Sequence, residues 1–203
     1  LEPQWEAKFE PNSYGFRPGR GCHDAIEAIF SFICFKAKYV LDADIEKCFD
    51  KINHQALLDK LSTFPTMRRA IRAWLSAGVL EDEKLFPTTS GSPQGGVASP
   101  LMANIALHGL ETAVVSSYPK AKVVRYADDL VVLHEHRPTV EDVKQTVSDW
   151  LVNMGLNLKP SKTRIAHPLN KHQGTVGFDF LGFNIRQHRV GKTHSGKTPG
   201  RKP

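Results

Sequence analysis

Cysteine is scarce and unpaired in this 203-residue chain: Cys22, Cys34 and Cys48 are odd in number and share no CxxC spacing. That argues against a disulfide framework and against a zinc site built on paired cysteines, and leaves the reduced thiols of a cytoplasmic protein as the reading. Long hydrophobic runs are also missing. No stretch of about 18 apolar residues occurs, and the first residues lack the charged and apolar regions of a signal peptide, so a soluble chain without membrane contact is expected. Leu1-Glu2-Pro3 has no initiator Met, and a fragment of a longer protein is expected. Of nine histidines only His134 and His136 stand close together. They lie past the end of a strand and read as solvated. Acidic residues are nearly absent from the last quarter: residues 156–203 hold 10 Lys+Arg against 1 Asp+Glu, whereas residues 1–155 hold 17 against 20. A basic segment of this kind would track a phosphate backbone; a solvated basic tail is the alternative.

What is present is a core and a pair of acidic strands. With 40% hydrophobic residues the chain can bury a sizeable interior, enough for one domain, or one domain and part of another. Val123-Val124-Arg125-Tyr126-Ala127-Asp128-Asp129-Leu130-Val131-Val132-Leu133 sets two adjacent carboxylates between two apolar, β-branched runs, the pattern of a hairpin with its charges at the turn. Side chains alternate along a strand, so Asp128 and Asp129 converge only if the turn twists them round a common point. Their mutual repulsion and the apolar surroundings would raise their pKa values unless a cation were bound, and Mg²⁺ is the cation that prefers carboxylate oxygens and substrate phosphates. An ordinary polar turn is the alternative. In Lys38-Tyr39-Val40-Leu41-Asp42-Ala43-Asp44-Ile45 a second strand carries Asp42 and Asp44 on one face, with Asp44 near its end. A strand-end Asp facing an acidic hairpin is what two-metal phosphoryl transfer needs, with Asp44, Asp128 and Asp129 holding two Mg²⁺.

These residues carry a resemblance. Tyr126-Ala127-Asp128-Asp129, Leu41-Asp42-Ala43-Asp44-Ile45 followed by Cys48-Phe49-Asp50, and Ser92-Pro93-Gln94-Gly95-Gly96 together resemble the palm of reverse transcriptases, in particular the reverse transcriptase (maturase) proteins encoded by group II introns. The resemblance implies an α+β right-hand polymerase palm: a mainly antiparallel sheet, helices packed on one face, and part of the fingers. Residues 1–38 would then be part of the fingers, 39–185 the palm with the catalytic core, and 186–203 a basic linker toward a missing thumb. The implied activity is RNA-directed DNA polymerisation, with an RNA template, a DNA primer and dNTP as partners. A homodimer of the full-length protein is compatible with it. An RNA-binding maturase module that assists intron splicing is the rival reading, since family members do both.

The same resemblance assigns further residues. The backbone carbonyl of Ile45 would be a metal ligand, and Lys162 would stand near the triphosphate, where a protonated amine could serve as general acid for pyrophosphate. Phe49 takes the place of the steric gate: an aromatic ring under the incoming sugar leaves no volume for a 2′-OH. A core Phe is the alternative there. Gln94 would contact the incoming nucleotide or the adjacent template base. Phe180-Leu181-Gly182, inside the expected hairpin 178–185, resembles the primer grip. Asn12 to Gly21 resembles the family's second conserved block, in which Ser or Thr commonly stands near Gly21-Cys22. Arg17 and Arg20 beside Tyr14 and Phe16 suit a template strand through phosphate contact and stacking, or a satisfied structural loop. Asp42 and Glu46 are read as outlying or solvated.

Helices are predicted from Cys22 to about Lys36, from Asn53 as a cap, from about Met67 to Gly78, from Ser99 as cap to about Val115, and from about Val140 to Met154 with Gly155 closing the last. Leu156-Asn157-Leu158-Lys159 reads as a short strand. Gly191 to Thr198 matches GxxxxGK[ST], but Pro199 and Gly200 follow at once. A phosphate loop needs a helix whose N-terminal amides face the ligand, so the match is read as chance.

Overall fold

The computed structural model describes residues 1–77, 79–81, 84–86, 90–91 and 98–189. In chain order the helices are α1 (Glu2–Glu6), α2 (Cys22–Ile33), α3 (Cys48–Lys51), α4 (His54–Leu61), α5 (Pro65–Ser76), α6 (Ser99–Leu107), α7 (Leu110–Ser117) and α8 (Arg137–Val152). The strands are β1 (Tyr39–Asp44), β2 (Val79–Glu81), β3 (Lys84–Phe86), β4 (Lys122–Tyr126), β5 (Asp129–His134), β6 (Arg164–Ala166), β7 (Phe178–Phe180) and β8 (Phe183–Ile185). A 3₁₀ turn at Pro160–Lys162 precedes β6.

The sheet that matters is antiparallel throughout, in the order β4-β5-β1-β6. Its centre follows from the Leu-Val-Val-Leu run of β5, because a strand apolar at every position must be covered on both faces. Leu130 and Val132 enter one core with Leu41, Ala43 and Val123, beneath α4, α5, α6, α7 and α8. Val131 and Leu133 enter a second core with Val40, Val124, Ala166, the α2 residues Ala25, Ile29 and Ile33, and Phe178 and Phe180. The helices α4 to α8 thus share one face, the arrangement expected for the palm, while α2, in the portion expected as fingers, crosses the opposite face and the β7/β8 hairpin closes beside it. Each of the Val, Leu, Ile and Phe side chains among these is worth about 1.5–3 kcal/mol when fully buried. β5 is thus a rigid support for whatever its first residue does.

Local chemistry explains the element ends. Asn53 Oδ1 accepts the Ala56 amide at 2.9 Å, capping α4 as its sequence predicts. Gly155, at φ +74°, ends α8: its amide donates to Val152 O at 2.9 Å and the Leu156 amide to Leu151 O at 3.0 Å, the paired bonds of a Schellman motif. The single helix expected after Ser99 is two helices, broken where Gly109 takes φ +95°. Ala98, not Ser99, precedes its first turn. Leu156–Lys159 makes one antiparallel bridge, Leu158 with Ile45, and is not a strand. Among the described residues no helix is long and apolar enough to cross a membrane.

Candidate active site

The two acidic segments meet. Asp44 ends β1, Asp129 begins β5, and the two are register partners across the sheet. β4 and β5 are joined through Ala127 and Asp128, after the pair Tyr126–Asp129. Two-residue hairpin turns need a positive φ at the first central position, and Ala127 supplies it at +53°. A left-handed conformation costs a residue with a Cβ about 1–2 kcal/mol. Arg125 offsets this by donating to the Ala127 carbonyl at 3.0 Å, a charged hydrogen bond of about 1.5–3 kcal/mol. The turn is tied to β1 as well, because the Ile45 amide donates to Asp128 O at 3.1 Å.

Electrostatics mark the site. Burial, then the neighbouring charges of Asp128 and Asp44, push the Asp129 carboxyl up to about 6. Lys162, on the 3₁₀ turn, donates to Asp44 Oδ2 at 2.6 Å, and that bond and charge raise the pKa of its amine. Asp42, raised by burial, pairs with Arg164 at 2.9 Å. Asp42, Asp44, Asp129, Lys162, Arg164 and Asp179 line a cavity of about 320 Å³. Asp42 therefore belongs to the wall of the site. Carboxylate and carbonyl oxygens are the donor set Mg²⁺ prefers, and the repulsion that raises Asp129 is what a cation relieves. Among the described residues no three metal-ligating side chains converge in this arrangement, in which Lys162 partners one oxygen of Asp44. The donor chemistry fits the ion, and Asp44 and Asp129 already share one strand register.

Phe49 sits half-buried on α3, its ring 6.0 Å from that of Phe16 and edge-on at 76°. Gln94 lies outside the described residues, as do residues 190–203 with their GxxxxGK[ST] match. The start of the Gln94 segment is anchored on α3: Ser90 Oγ donates to Asp50 O at 3.1 Å and the Gly91 amide to Ile52 O at 2.8 Å. Gly91 is required there, since it holds φ +80° and a Cβ would fall 2.5 Å from Phe49 O.

The remaining expected contacts divide. Arg17 faces inward, its side chain 4% exposed, donating to the Glu6 carboxylate at 2.9 Å, to Glu10 O at 2.9 Å and to Ser13 O at 2.8 Å. The structure gives it the structural alternative in place of the template contact. Arg20 is half-buried over the Tyr14 ring and donates to the Pro11 and Ser13 carbonyls. Phe180, Leu181 and Gly182 form the expected hairpin, with Phe180 buried and Leu181 and Gly182 both at positive φ in the turn. His134 is buried, contrary to the solvated reading: its Nδ1 accepts the His136 amide at 3.1 Å. Sequence reasoning missed Arg125, which is fully enclosed beneath the acidic turn; its only signal was a charge inside an otherwise apolar strand.

The chain and its fold have known counterparts. Residues 1–185 match the family "Reverse transcriptase (RNA-dependent DNA polymerase)". The group II intron-encoded protein LtrA of Lactococcus lactis subsp. cremoris is 41% identical over 118 residues, covering 57% of this chain and 20% of LtrA. Protein YkfC of Escherichia coli is 28% identical over 229 residues, covering 93% of the chain and 58% of YkfC. Telomerase from Candida albicans, solved with a fragment of telomeric RNA, superposes with a TM-score of 0.70 at 15% identity, covering 91% of this chain and 35% of that one. The chain thus spans about a fifth of LtrA and somewhat over half of YkfC.

Proposed function

This chain belongs to the reverse transcriptase family, and from that premise we propose that it is the palm, with part of the fingers, of a group II intron-type RNA-directed DNA polymerase. Residues 1–38 are the fingers portion, 39–185 the palm, and 186–203 a basic linker toward a thumb. The observation that carries the reading is the facing of Asp44 and Asp129 across adjacent strands with Asp128 in the turn between β4 and β5.

In the proposed reaction a primer 3′-oxygen attacks the α-phosphorus of a dNTP paired with an RNA template. A P–O bond forms as the primer O–H gives its proton to solvent, the α–β anhydride breaks, and pyrophosphate leaves. Asp44, Asp128 and Asp129, with the Ile45 carbonyl, would hold two Mg²⁺, whose charge would supply activation of the attacking oxygen and neutralisation of the leaving group. Lys162 lines the same cavity as the carboxylates and stays protonated beside Asp44, so it carries a proton that pyrophosphate can take. Phe49 excludes the 2′-OH and Gln94 positions the nucleotide. Phe180, Leu181 and Gly182 support the primer end, and Arg20 lies on the template side.

Primer extension on an RNA template with dNTP and Mg²⁺ tests the reading, with Asp128→Ala as control. Extension that disappears in the control supports it; equal extension by a folded Asp128→Ala protein refutes the assignment of the turn. A second reading, an RNA-binding module that assists splicing, is favoured by the excess of basic residues in 156–203 and by the intron-encoded relatives. The double variant Asp128→Ala/Asp129→Ala separates the two, because RNA binding and splicing assistance survive in it only if they are independent of polymerisation.

A further inference from the structure

Arg125 does more than neutralise a buried pocket. Its guanidinium, 3% exposed as a residue, reaches three acceptors on three different segments: Ala127 O at 3.0 Å in the acidic turn, Asn104 Oδ1 at 3.0 Å on α6, and Ser13 Oγ at 2.7 Å in the N-terminal loop. Burial lowers its pKa to about 10, which leaves it charged at neutral pH. Asn104, itself 2% exposed, is fixed in orientation because its Nδ2 donates to Gly15 O at 2.8 Å while its Oδ1 accepts from Arg125. The loop is joined to the strand along its backbone as well: the Arg125 amide donates to Asn12 O and the Tyr14 amide to Arg125 O, each at 2.9 Å. Gly15 then passes so close that a Cβ would fall 2.4 Å from the Ala127 nitrogen.

We propose that Arg125 and Asn104 are positioning residues for the metal-holding carboxylates: together with Ser13 and Gly15 they clamp Ala127 in its left-handed conformation and so fix Asp128 and Asp129 against Asp44. The clamp joins β4, α6 and the N-terminal loop. α6 follows the Pro-Gln-Gly block in sequence, so the helix after the nucleotide-facing segment and the acidic turn share one buried cation. An apolar residue at position 125 could fill the volume, but it could not hold the Ala127 carbonyl. The proposal rests on the reading of Asp128 and Asp129 as metal ligands, and its test reads the turn directly as well as through activity.

Asn104→Ala removes one arm and leaves both the carboxylates and the Arg125–Ala127 bond in place. In the full chain, hydrogen exchange of the peptide over residues 126–130 should quicken at least about tenfold, with α8 protection unchanged, because local opening governs exchange. Mn²⁺ affinity, followed by its electron paramagnetic resonance signal, should fall about 10- to 100-fold, the usual effect of removing a group that orients ligands. In primer extension kcat should fall by a similar factor while the KM for dNTP stays within about twofold, since misplacement acts on the reacting geometry. A folded Asn104→Ala protein with unchanged turn exchange and unchanged Mn²⁺ affinity overturns the proposal, whether or not the wild-type chain polymerises. Failure of the wild type to extend primers, with Mn²⁺ binding still lost in Asn104→Ala, would instead refute the polymerase reading and leave the clamp standing. If Asn104→Ala does not fold, Ser13→Ala, which removes only the 2.7 Å arm, takes its place in the same comparison with the same two outcomes.

Discussion

Replacing Arg17 with Ala separates a structural role from a template-binding role in one protein. The guanidinium is held by both oxygens of Glu6 and by the carbonyls of Glu10 and Ser13, and it stacks over the Phe9 ring at 5.1 Å. Removing one partner of a buried ion pair destabilises by about 3–5 kcal/mol, because the other charge and its acceptors are left desolvated. Glu6 is 25% exposed and can recover some hydration, which places the expected loss at the lower end, about 3 kcal/mol. For a chain of this size each kcal/mol moves the melting temperature by about 2–4 °C, so thermal unfolding followed by circular dichroism should show a drop of roughly 6–12 °C. RNA binding below the lowered transition should keep its salt dependence, since the side chain meets no solvent. Had Arg17 contacted a phosphate, the slope of log K against log salt would fall by about 0.7 for a single strand. A melting temperature within about 1 °C of wild type together with a reduced salt slope would refute the reasoning and restore Arg17 to the template surface.

Asp129, raised to about 6 from an ordinary value of 3.8, binds its proton more tightly folded than unfolded, so it subtracts stability as pH rises from about 4 to 6. Because the group is only partly buried, the screened effect is about 1 kcal/mol; Asp129→Asn should be more stable than wild type at pH 7 in chelator, with the gap closing near pH 4, and a constant gap in paired denaturant titrations would contradict it. Gly15→Ala sets a Cβ 2.4 Å from the Ala127 nitrogen, so backbone must move; about 1–3 kcal/mol of destabilisation and a severe loss of extension are expected, and wild-type extension rates would show that the loop does not press on the turn. Phe49→Ala should raise ribonucleotide incorporation relative to deoxyribonucleotide in primer extension, and unchanged sugar selection would remove the gate.

The acidic strands were legible because their carboxylates interrupt apolar runs, and a charge in such a place marks either a strand end or a ligand. Asn53 and Gly155 were legible because caps are local, decided by a few neighbouring amides and carbonyls. Arg17 was not: beside Gly15, Phe16 and Pro18 it reads the same whether it faces RNA or Glu6, and the pairing that decides the matter spans 11 residues and needs the fold. The periodicity of α2 announced a buried face but not which side of the sheet it covers, so the helix on the second face escaped the sequence. Arg125 escaped for the opposite reason, since a cation in a buried strand contradicts local pattern, and two of the three acceptors that make it tolerable, on Asn104 and Ser13, come from distant segments. Three departures from local rule nonetheless meet at one place. Ala127 at positive φ, Arg125 without solvent and Gly15 pressed on backbone all lie against one turn, the one that carries Asp128 and leads into Asp129. A sequence optimised for stability alone would place Gly at position 127 and an apolar residue at 125. That both are absent at this turn is what the proposed role of its carboxylates predicts, a geometry taking precedence over local preference.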